Sequence, residues 1–264
     1  MKIALLLTGN ELMSGDTIDS NSAYIAQSLK DLGLVPVLKQ VVGDDLPMLI
    51  DSIRSLSALS DLLVINGGLG PTSDDLTAVA LARAAGLDVV RHPEAMQHLD
   101  AWAERRGFTV TPSNLKQADL PDGCDVLPNP YGSAVGFGLQ LNDCLVLCTP
   151  GVPSEFKPMV ENEILPRVRQ YAGITSQTKI TRLRLFGISE SGLQDTIDKE
   201  FSNWPSNVEL GFRVQLPVLE LKVATIGAEL DNENRLWAQR LRERFADHYL
   251  GENDTTLPAA HNQS

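Results

Sequence analysis

The chain has 264 residues, of which 43% are hydrophobic and 21% charged, a composition typical of a water-soluble globular protein with one large or two modest domains. Its 22 Lys and Arg against 34 Asp and Glu give a formal net charge of -12, which argues against non-specific nucleic-acid binding. The three cysteines lack zinc-site spacing and suit a reducing compartment, and no stretch resembles a signal peptide or a membrane span, so we expect a cytoplasmic protein with no membrane partner.

Strands and helices alternate in the first quarter of the chain. The predicted elements are a strand over Lys2–Thr8, a helix capped by Asn21 and ending at Leu32, a strand over Val35–Val42, a helix from Pro47 to Leu59 and a strand over Leu62–Ile65. This alternation with short connections predicts a mostly parallel sheet with helices on both faces. The carboxyl ends of such strands bind ligands, so we expect three loops to meet there: Gly9–Gly15, Gly43–Asp45 and Gly67–Asp75.

Acidic residues occur in all three loops. Asp44 and Asp45 directly precede a predicted helix, so helix capping is their favoured role. Glu11 lies in a loop with no obvious helix to cap, which favours a role in ligand binding.

A glycine-rich turn, Gly67–Thr72, joins the third strand to a helix that stops at Gly86. Converging backbone N–H groups and a helix N-terminus bind phosphate. Asp74 and Asp75 follow, where a bare anion would be repelled, so we predict a divalent cation that bridges phosphate and carboxylate. An alternative of equal weight is that these carboxylates only complete a capping box with Thr72. The glycine spacing matches neither the Rossmann nor the P-loop motif.

Two later stretches are further candidates for ligand contacts. Asn114, Lys116 and Gln117 cluster where they could recognise a phosphate or a base edge, although a solvated helix start explains them equally well. The turn Thr149–Glu155 follows the last predicted strand, Leu145–Leu147, and could contact an anion or a ribose. A rigid turn stiffened by two prolines is the competing interpretation. Ser154 is predicted to cap the next helix, which is expected to end at Pro166.

The pattern changes near residues 170–176, where we place a linker between domains 1–170 and 175–251. The second domain is predicted as strand, helix, two strands and helix, over Ile180–Leu185, Glu190–Phe201, Val208–Val214, Leu219–Ile226 and Glu233–Tyr249. Residues 252–264 are polar and unpatterned, which predicts a disordered tail.

Several ordered motifs together resemble the CinA family (competence/damage-inducible protein A). They are Gly9-Asn10-Glu11-Leu12, Asn21, Gly67 to Thr72 with Asp74-Asp75-Leu76-Thr77, Asn114-Lys116-Gln117-Ala118 and Pro150-Gly151-Val152-Pro153-Ser154-Glu155. The resemblance implies an α/β molybdopterin-binding-like domain with a three-layer α/β/α fold, followed by a small α+β KH-type domain. It also implies metal-dependent ADP-ribose pyrophosphatase activity, with Mg or Co as the divalent metal and a monovalent cation as a further candidate.

The resemblance also implies which residues form the site. Asp75, Asp74 and Lys116 are the expected catalytic residues, and Asp74, Asp75 and Glu11 the expected metal ligands. The expected substrate-binding residues are Gly9, Glu11, Asn21, Gly67, Gly68, Gly70, Pro71, Thr72, Thr77, Asn114, Gln117, Gly132, Gly136, Pro150, Gly151, Pro153 and Glu155.

Three departures from the family pattern limit what is carried over. Thr149-Pro150 and Gly132-Ser133-Ala134-Val135-Gly136 vary on the usual forms of two motifs, so the resemblance defines ligand specificity less closely than phosphate binding. The motif of the nicotinamide mononucleotide deamidase domain found in many members has no match here, so deamidase activity is not expected. The segment Gly187–Gly192 lacks the G-x-x-G loop of nucleic-acid-binding KH domains. We therefore expect the second domain to support a homodimer rather than to bind nucleic acid.

Two functions from different classes remain open. The first is a hydrolase that splits ADP-ribose or a related nucleoside-diphosphate sugar into AMP and a sugar phosphate. The second is a non-catalytic module that binds a pterin or a nucleotide. A third and weaker reading is a nucleic-acid-associated scaffold.

Overall fold

The computed structural model describes residues 1–174, 178–201, 204–215, 217–226 and 230–252. The chain divides into two compact units, Met1–Gly173 and Ile174–Ser264. Residues 175 and 176 of the predicted linker and residues 253–264 of the predicted tail lie outside the described part. Across these described ranges, no helix is both long enough and apolar enough to cross a membrane.

The first unit contains eight strands and eight α-helices among its described residues. The strands are β1 (Ile3–Thr8), β2 (Pro36–Val42), β3 (Leu62–Asn66), β4 (Val89–Arg91), β5 (Asp119–Pro121), β6 (Asp125–Leu127), β7 (Gly136–Leu141) and β8 (Cys144–Thr149). The helices are α1 (Asn10–Ser14), α2 (Asn21–Lys30), α3 (Leu46–Leu59), α4 (Thr77–Ala85), α5 (Pro93–Arg106), α6 (Pro112–Leu115), α7 (Pro153–Met159) and α8 (Leu165–Tyr171).

Six of these strands form one sheet in the order β2-β1-β3-β8-β7-β6. Strands β2, β1, β3 and β8 are parallel, whereas β7 runs antiparallel to both of its neighbours. Strands β4 and β5 form a separate antiparallel pair. The predicted fold class, mixed α/β with a mostly parallel sheet, is confirmed.

The sheet is covered on both faces because alternate residues of a strand point to opposite sides. Ala4 and Leu6 of β1 lie in a core with residues of α3, α4 and α5, while Ile3, Leu5 and Leu7 lie in a second core with residues of α2, α7 and α8. All six residues of β1 are buried, as its continuous apolar run predicts. The result is three layers, helices on sheet on helices.

Two local predictions in this unit are wrong. The loop around Glu11 contains a short helix, α1, with Glu11 in its first turn. The helix predicted to end at Pro166 begins at Pro153 without a side-chain cap from Ser154 and continues to Tyr171. A π-helical turn, Val160–Ile164, lies between Pro158 in α7 and Pro166 in the first turn of α8.

The second unit is a small α+β domain with a four-stranded antiparallel sheet in the order β10-β11-β9-β12. Its described elements are β9 (Thr178–Phe186), α9 (Glu190–Glu200), β10 (Val208–Gln215), β11 (Val218–Ile226), α10 (Leu230–Arg244) and β12 (Tyr249–Glu252). The last predicted helix is too long, because the chain turns after Arg244 and adds β12 to the sheet. Glu252, assigned to the tail from the sequence, belongs to that strand.

Candidate functional site

A cavity of about 460 Å³ opens at the carboxyl ends of β1, β3 and β8. In the sheet, β2 lies on one side of β1 and β3 lies on the other. The order of the strands therefore reverses at β1, which places the cavity at a topological switch point of the sheet. Fourteen of the predicted site residues line it: Gly9, Glu11, Asn21, Gly67, Gly68, Gly70, Pro71, Asp74, Asp75, Gln117, Pro150, Gly151, Pro153 and Glu155.

Six predicted site residues do not line this cavity: Thr72, Thr77, Asn114, Lys116, Gly132 and Gly136. Asn114 instead completes a capping box with Thr111 at the start of α6, so the helix-start interpretation explains it. Gly136 begins β7, and an added Cβ there would lie 2.6 Å from Met159 Cε, so packing explains this glycine.

A side chain of α4 is hydrogen-bonded to the backbone of the glycine-rich turn. Thr77 is fully buried, and its hydroxyl donates a 2.8 Å hydrogen bond to the carbonyl oxygen of Gly67. Gly67 has a φ of 108°, a conformation that other residues rarely adopt. The backbone N–H groups of Gly68, Leu69 and Gly70 donate to no protein acceptor in the described ranges. Unpaired amides beside a cavity are suited to an anionic group.

Thr72, Asp74 and Asp75 form a closed turn before α4. Asp75 Oδ2 accepts hydrogen bonds from Thr72 N at 2.8 Å and from Thr72 Oγ1 at 2.6 Å, and Asp74 also accepts from the same hydroxyl. That bond from Thr72 is the main reason why the pKa of Asp74 lies below its usual range. Helix α4 itself begins after Leu76 with no side-chain cap, so the capping-box interpretation is wrong for this helix.

Asp44 and Asp45 have different roles, although they are adjacent. Asp45 caps α3 by accepting a 2.8 Å hydrogen bond from Met48 N, as predicted. Asp44 does not cap α3, so the role predicted for it is wrong. Its carboxylate accepts from Thr8 Oγ1 at 3.1 Å and from Asn10 N, the first N–H of α1, at 3.0 Å. Asp44 also lines the cavity and belongs to the candidate site.

Asn21 does not cap α2, contrary to the prediction; its N-cap residue is Ser20. The Asn21 side chain turns inward, and its Nδ2 donates to Asn66 Oδ1 at 3.0 Å and to Gly151 O at 2.7 Å. Asn66 Nδ2 in turn donates to Pro150 O at 2.6 Å. These bonds join three loops that are far apart in sequence. Asn21 is only 6% exposed, and its Oδ1 has no hydrogen-bond partner among the residues described.

Glu155 supports a neighbouring loop as well as lining the cavity. Its Oε2 accepts a 2.8 Å hydrogen bond from Nδ2 of the fully buried Asn129, and Asn129 Oδ1 accepts from Gly132 N at 3.2 Å. An added Cβ at Gly132 would collide with the Glu155 carboxylate. Gly132 therefore permits a close approach behind the site, and it does not face the cavity.

The cavity is strongly acidic. Its lining includes the carboxylates of Glu11, Asp19, Asp44, Asp74, Asp75 and Glu155 and, within the described residues, no Lys, Arg or His. Lys116 lines a smaller adjacent cavity of about 120 Å³, and its Nζ donates to Thr72 O. A bare phosphate would be repelled from the larger cavity, so an anionic ligand requires an accompanying cation.

Carboxylates are suitable ligands for a hard divalent cation, but the predicted set of three is not preassembled. Among the described residues no group of three His, Cys, Asp or Glu side chains is placed to hold a metal ion. Asp74 and Asp75 nevertheless fit the usual Mg²⁺ arrangement, in which one or two carboxylates act together with phosphate oxygens of the substrate. The full ligand set of Glu11, Asp74 and Asp75 stays a prediction.

Sequence reasoning missed several polar residues of the site, among them Asn66, Asp19 and Ser133. Asn66 could have been found, because a polar residue that ends a fully apolar strand is expected to face the ligand edge. Asp19 and Ser133 lie in loops whose sequence gives no comparable signal.

Comparisons with known proteins place the first unit in a family. A family model described as a probable molybdopterin binding domain matches residues 4–170. A CinA-like protein of Colwellia psychrerythraea is 45% identical over 251 residues, which cover 95% of this chain and 58% of that protein. A CinA-like protein of Escherichia coli O17:K52:H18 is 42% identical over 237 residues, 90% of this chain and 58% of the relative. The chain thus spans less than two thirds of the length of these relatives.

A solved structure gives the same result. The crystal structure of the protein CinA with unknown function from Thermoplasma acidophilum is similar with a TM-score of 0.58 and 31% identity. The similarity covers 62% of this chain and 96% of that one.

Proposed function

Because the chain belongs to the CinA-like family and carries a probable molybdopterin-binding domain over residues 4–170, we propose that its first unit binds a phosphorylated pterin or nucleotide in the carboxyl-end cavity. The observation that carries this proposal is that Gly68, Leu69 and Gly70, whose N–H groups donate to no acceptor in the described ranges, line a cavity of about 460 Å³. That volume is in the usual range for small-molecule sites, roughly 300–1,000 Å³.

The six carboxylates of the lining set a condition on this binding. A phosphate beside Asp74 and Asp75 gains little from the turn amides unless a cation offsets the charge of the carboxylates. Binding is therefore expected to require a divalent cation.

Binding of defined probes tests the proposal. Isothermal titration of AMP, ADP-ribose and dihydroneopterin monophosphate, each with MgCl₂ or with EDTA, is expected to give binding only with the cation. Asp75→Asn should weaken this binding at least about 10-fold, because a hydrogen-bonded charged contact contributes roughly 1.5–3 kcal/mol. Asp45→Asn is the matched control, since Asp45 caps α3 and does not line the cavity.

The contrary outcomes are distinct. If the wild-type protein binds none of these probes, the proposed function is wrong. If Asp75→Asn and Asp45→Asn bind equally well, the ligand does not depend on the acidic turn.

Hydrolysis of a nucleoside-diphosphate sugar, ADP-ribose by resemblance, is a second proposal. The observation that favours it is the adjacent pair Asp74 and Asp75 on the wall of an acidic cavity, because a bound Mg²⁺ or Co²⁺ polarises a phosphoryl oxygen and acidifies water. In this proposal the turn amides orient the diphosphate. Lys116, on the far side of the turn, offsets charge on the leaving phosphate.

Product analysis separates the two proposals. Incubation of the protein with ADP-ribose and Mg²⁺ or Co²⁺ should release AMP if it is a hydrolase. If the protein binds ADP-ribose but the ADP-ribose stays intact, the hydrolase proposal is wrong and only the binding proposal stands.

A further inference from the structure

The smaller cavity of about 120 Å³ lies against the glycine-rich turn and shares its wall with the larger one. Five residues line both cavities: Gly68, Leu69, Gly70, Asp75 and Gln117. The other lining residues of this smaller cavity, which we call the apolar lobe, are Ala78, Val79, Val89, Lys116, Asp119, Leu120 and Val135.

We propose that the apolar lobe receives the heterocyclic ring of the ligand, while the phosphate stays on the acid-lined side of the same glycine turn. This inference rests on the proposed function and adds to it a location for each part of the ligand. It assigns Ala78, Val89 and Gln117 to recognition of the ring.

The chemistry of the lobe suits a flat, largely apolar group. Ala, Val and Leu supply half of its lining residues, from α4, β4, β5 and two loops, and the larger cavity carries six carboxylates. A closed apolar cavity of about 150 Å³ holds one benzene molecule, so the lobe, at about 120 Å³, takes in one edge of a bicyclic ring while the rest of the ring extends out of it. Burial of a ring against aliphatic carbon is favourable by about 25 cal/mol per Å² of apolar surface.

One polar atom of the lobe lacks a partner. Gln117 is 7% exposed, and its Nε2 donates to Ser133 Oγ at 3.0 Å, but its Oε1 accepts no hydrogen bond from the described residues. Leaving a buried carbonyl oxygen without a hydrogen bond is unfavourable. An amino group or ring N–H in the lobe would supply the missing donor, and pterin and adenine rings both carry such donors.

The three charged residues of the lobe, Asp75, Lys116 and Asp119, are each hydrogen-bonded to a residue that does not line it, Asp75 by accepting from Thr72 N. Arg91 holds Asp119 through two hydrogen bonds, at 2.5 Å and 3.2 Å, and Lys116 Nζ donates to Thr72 O. Asp119 and Lys116 therefore already have hydrogen-bond partners without a ligand in the lobe.

A variant that fills the lobe tests the inference. Ala78→Leu adds three carbon atoms at the wall, and Ala84→Leu makes the same change on the same helix at a position outside both cavities. Both alanines are partly buried against the same core, so they form a matched pair. The probes are a ring-bearing ligand, AMP or dihydroneopterin monophosphate, and ribose 5-phosphate, which has no heterocycle.

Ala78→Leu is expected to lower the affinity for the ring-bearing probe at least about 10-fold and to change the affinity for ribose 5-phosphate by no more than about 2-fold. Ala84→Leu should change neither affinity. Equal losses for both probes, or no loss for either, would overturn the inference while leaving phosphate binding intact. Failure of the wild type to bind any probe would instead remove the proposed function on which the inference rests.

Two further variants do not depend on the folding of Ala78→Leu. Val89→Ala shortens an exposed side chain that lines the lobe and should lower only the affinity for the ring-bearing probe, by roughly 3-fold. Gln117→Met should lower the affinity ratio of the ring-bearing probe to ribose 5-phosphate, because it removes the acceptor oxygen. An unchanged ratio in Gln117→Met would remove Gln117 from ring recognition.

Discussion

Asn21 Nδ2 donates a 3.0 Å hydrogen bond to Asn66 Oδ1, which joins the first turn of α2 to the end of β3 across 45 residues of sequence. Both side chains are buried, and each also donates to a backbone carbonyl of the turn after β8, Asn21 to Gly151 and Asn66 to Pro150. This pair fixes the relative positions of the loops that surround the cavity.

Asn66→Ala should destabilise the first unit by about 2–4 kcal/mol, because it leaves the Pro150 carbonyl and a donor of Asn21 unpaired inside the protein. Thr149→Val is the control, since it removes only the 3.2 Å contact from Asn66 and the 3.1 Å bond to Ile65 O. A smaller loss, about 1 kcal/mol, is expected for it. Urea unfolding measures both, and equal losses would contradict a central role for Asn66.

Gly136→Ala should destabilise the protein by about 1–3 kcal/mol through overpacking. The added Cβ would lie 2.6 Å from Met159 Cε and 2.7 Å from the backbone oxygen of Cys148. Gly211→Ala in β10 is the matched strand control, because its nearest neighbour would be at an ordinary 3.7 Å. Thermal unfolding compares the two, and a neutral Gly136→Ala would return this glycine to the ligand-contact hypothesis.

The stability contribution of Asp19 should depend on pH in the acid range. Partial burial acts to raise the pKa of Asp19, but hydrogen bonds from Lys39 and Ser22 outweigh it and hold the pKa below its ordinary value of about 3.9. A depressed carboxyl pKa stabilises the folded state above the unfolded pKa, and this contribution is lost as the pH falls through the lower folded value.

Asp19→Asn should therefore be less stable than the wild type at about pH 7, and the gap should close as the pH falls below about 4. Because the group is partly exposed, solvent screening keeps the effect modest. The difference in urea midpoint between Asp19→Asn and the wild type, at about pH 7 and again below about pH 4, measures this effect. A gap of constant size would show that the charge of Asp19 contributes nothing to stability.

All three cysteines should be unreactive in the folded protein. Burial raises the pKa of Cys124 to about 11, raises that of Cys144, and raises that of Cys148 well above its ordinary value, so the reactive thiolate is scarce. A thiol reagent at about pH 8 should modify none of them in native protein and three in guanidinium. Rapid native labelling of one thiol would reveal local opening of the core.

The positions of the main strands and helices of the first unit follow from the sequence alone, because they depend on residues that are close together along the chain. The apolar run of β1 is long enough only for a buried strand, and Gly86 ends α4 in the left-handed conformation that glycine adopts most readily. The three loops predicted to meet at one sheet edge do line one cavity, since parallel strands place their carboxyl ends together.

The roles of individual polar residues were decided only by the tertiary structure. The local pattern predicts that Asn21, Asp44 and Asp45 each cap the helix that follows them, yet only Asp45 does so. The partner of Asn21 is 45 residues away, and Asp44 accepts from Asn10 N at the start of α1, 34 residues earlier. A hydrogen bond depends on distances of about 3 Å, and local sequence pattern does not fix such distances between remote segments before the chain has packed.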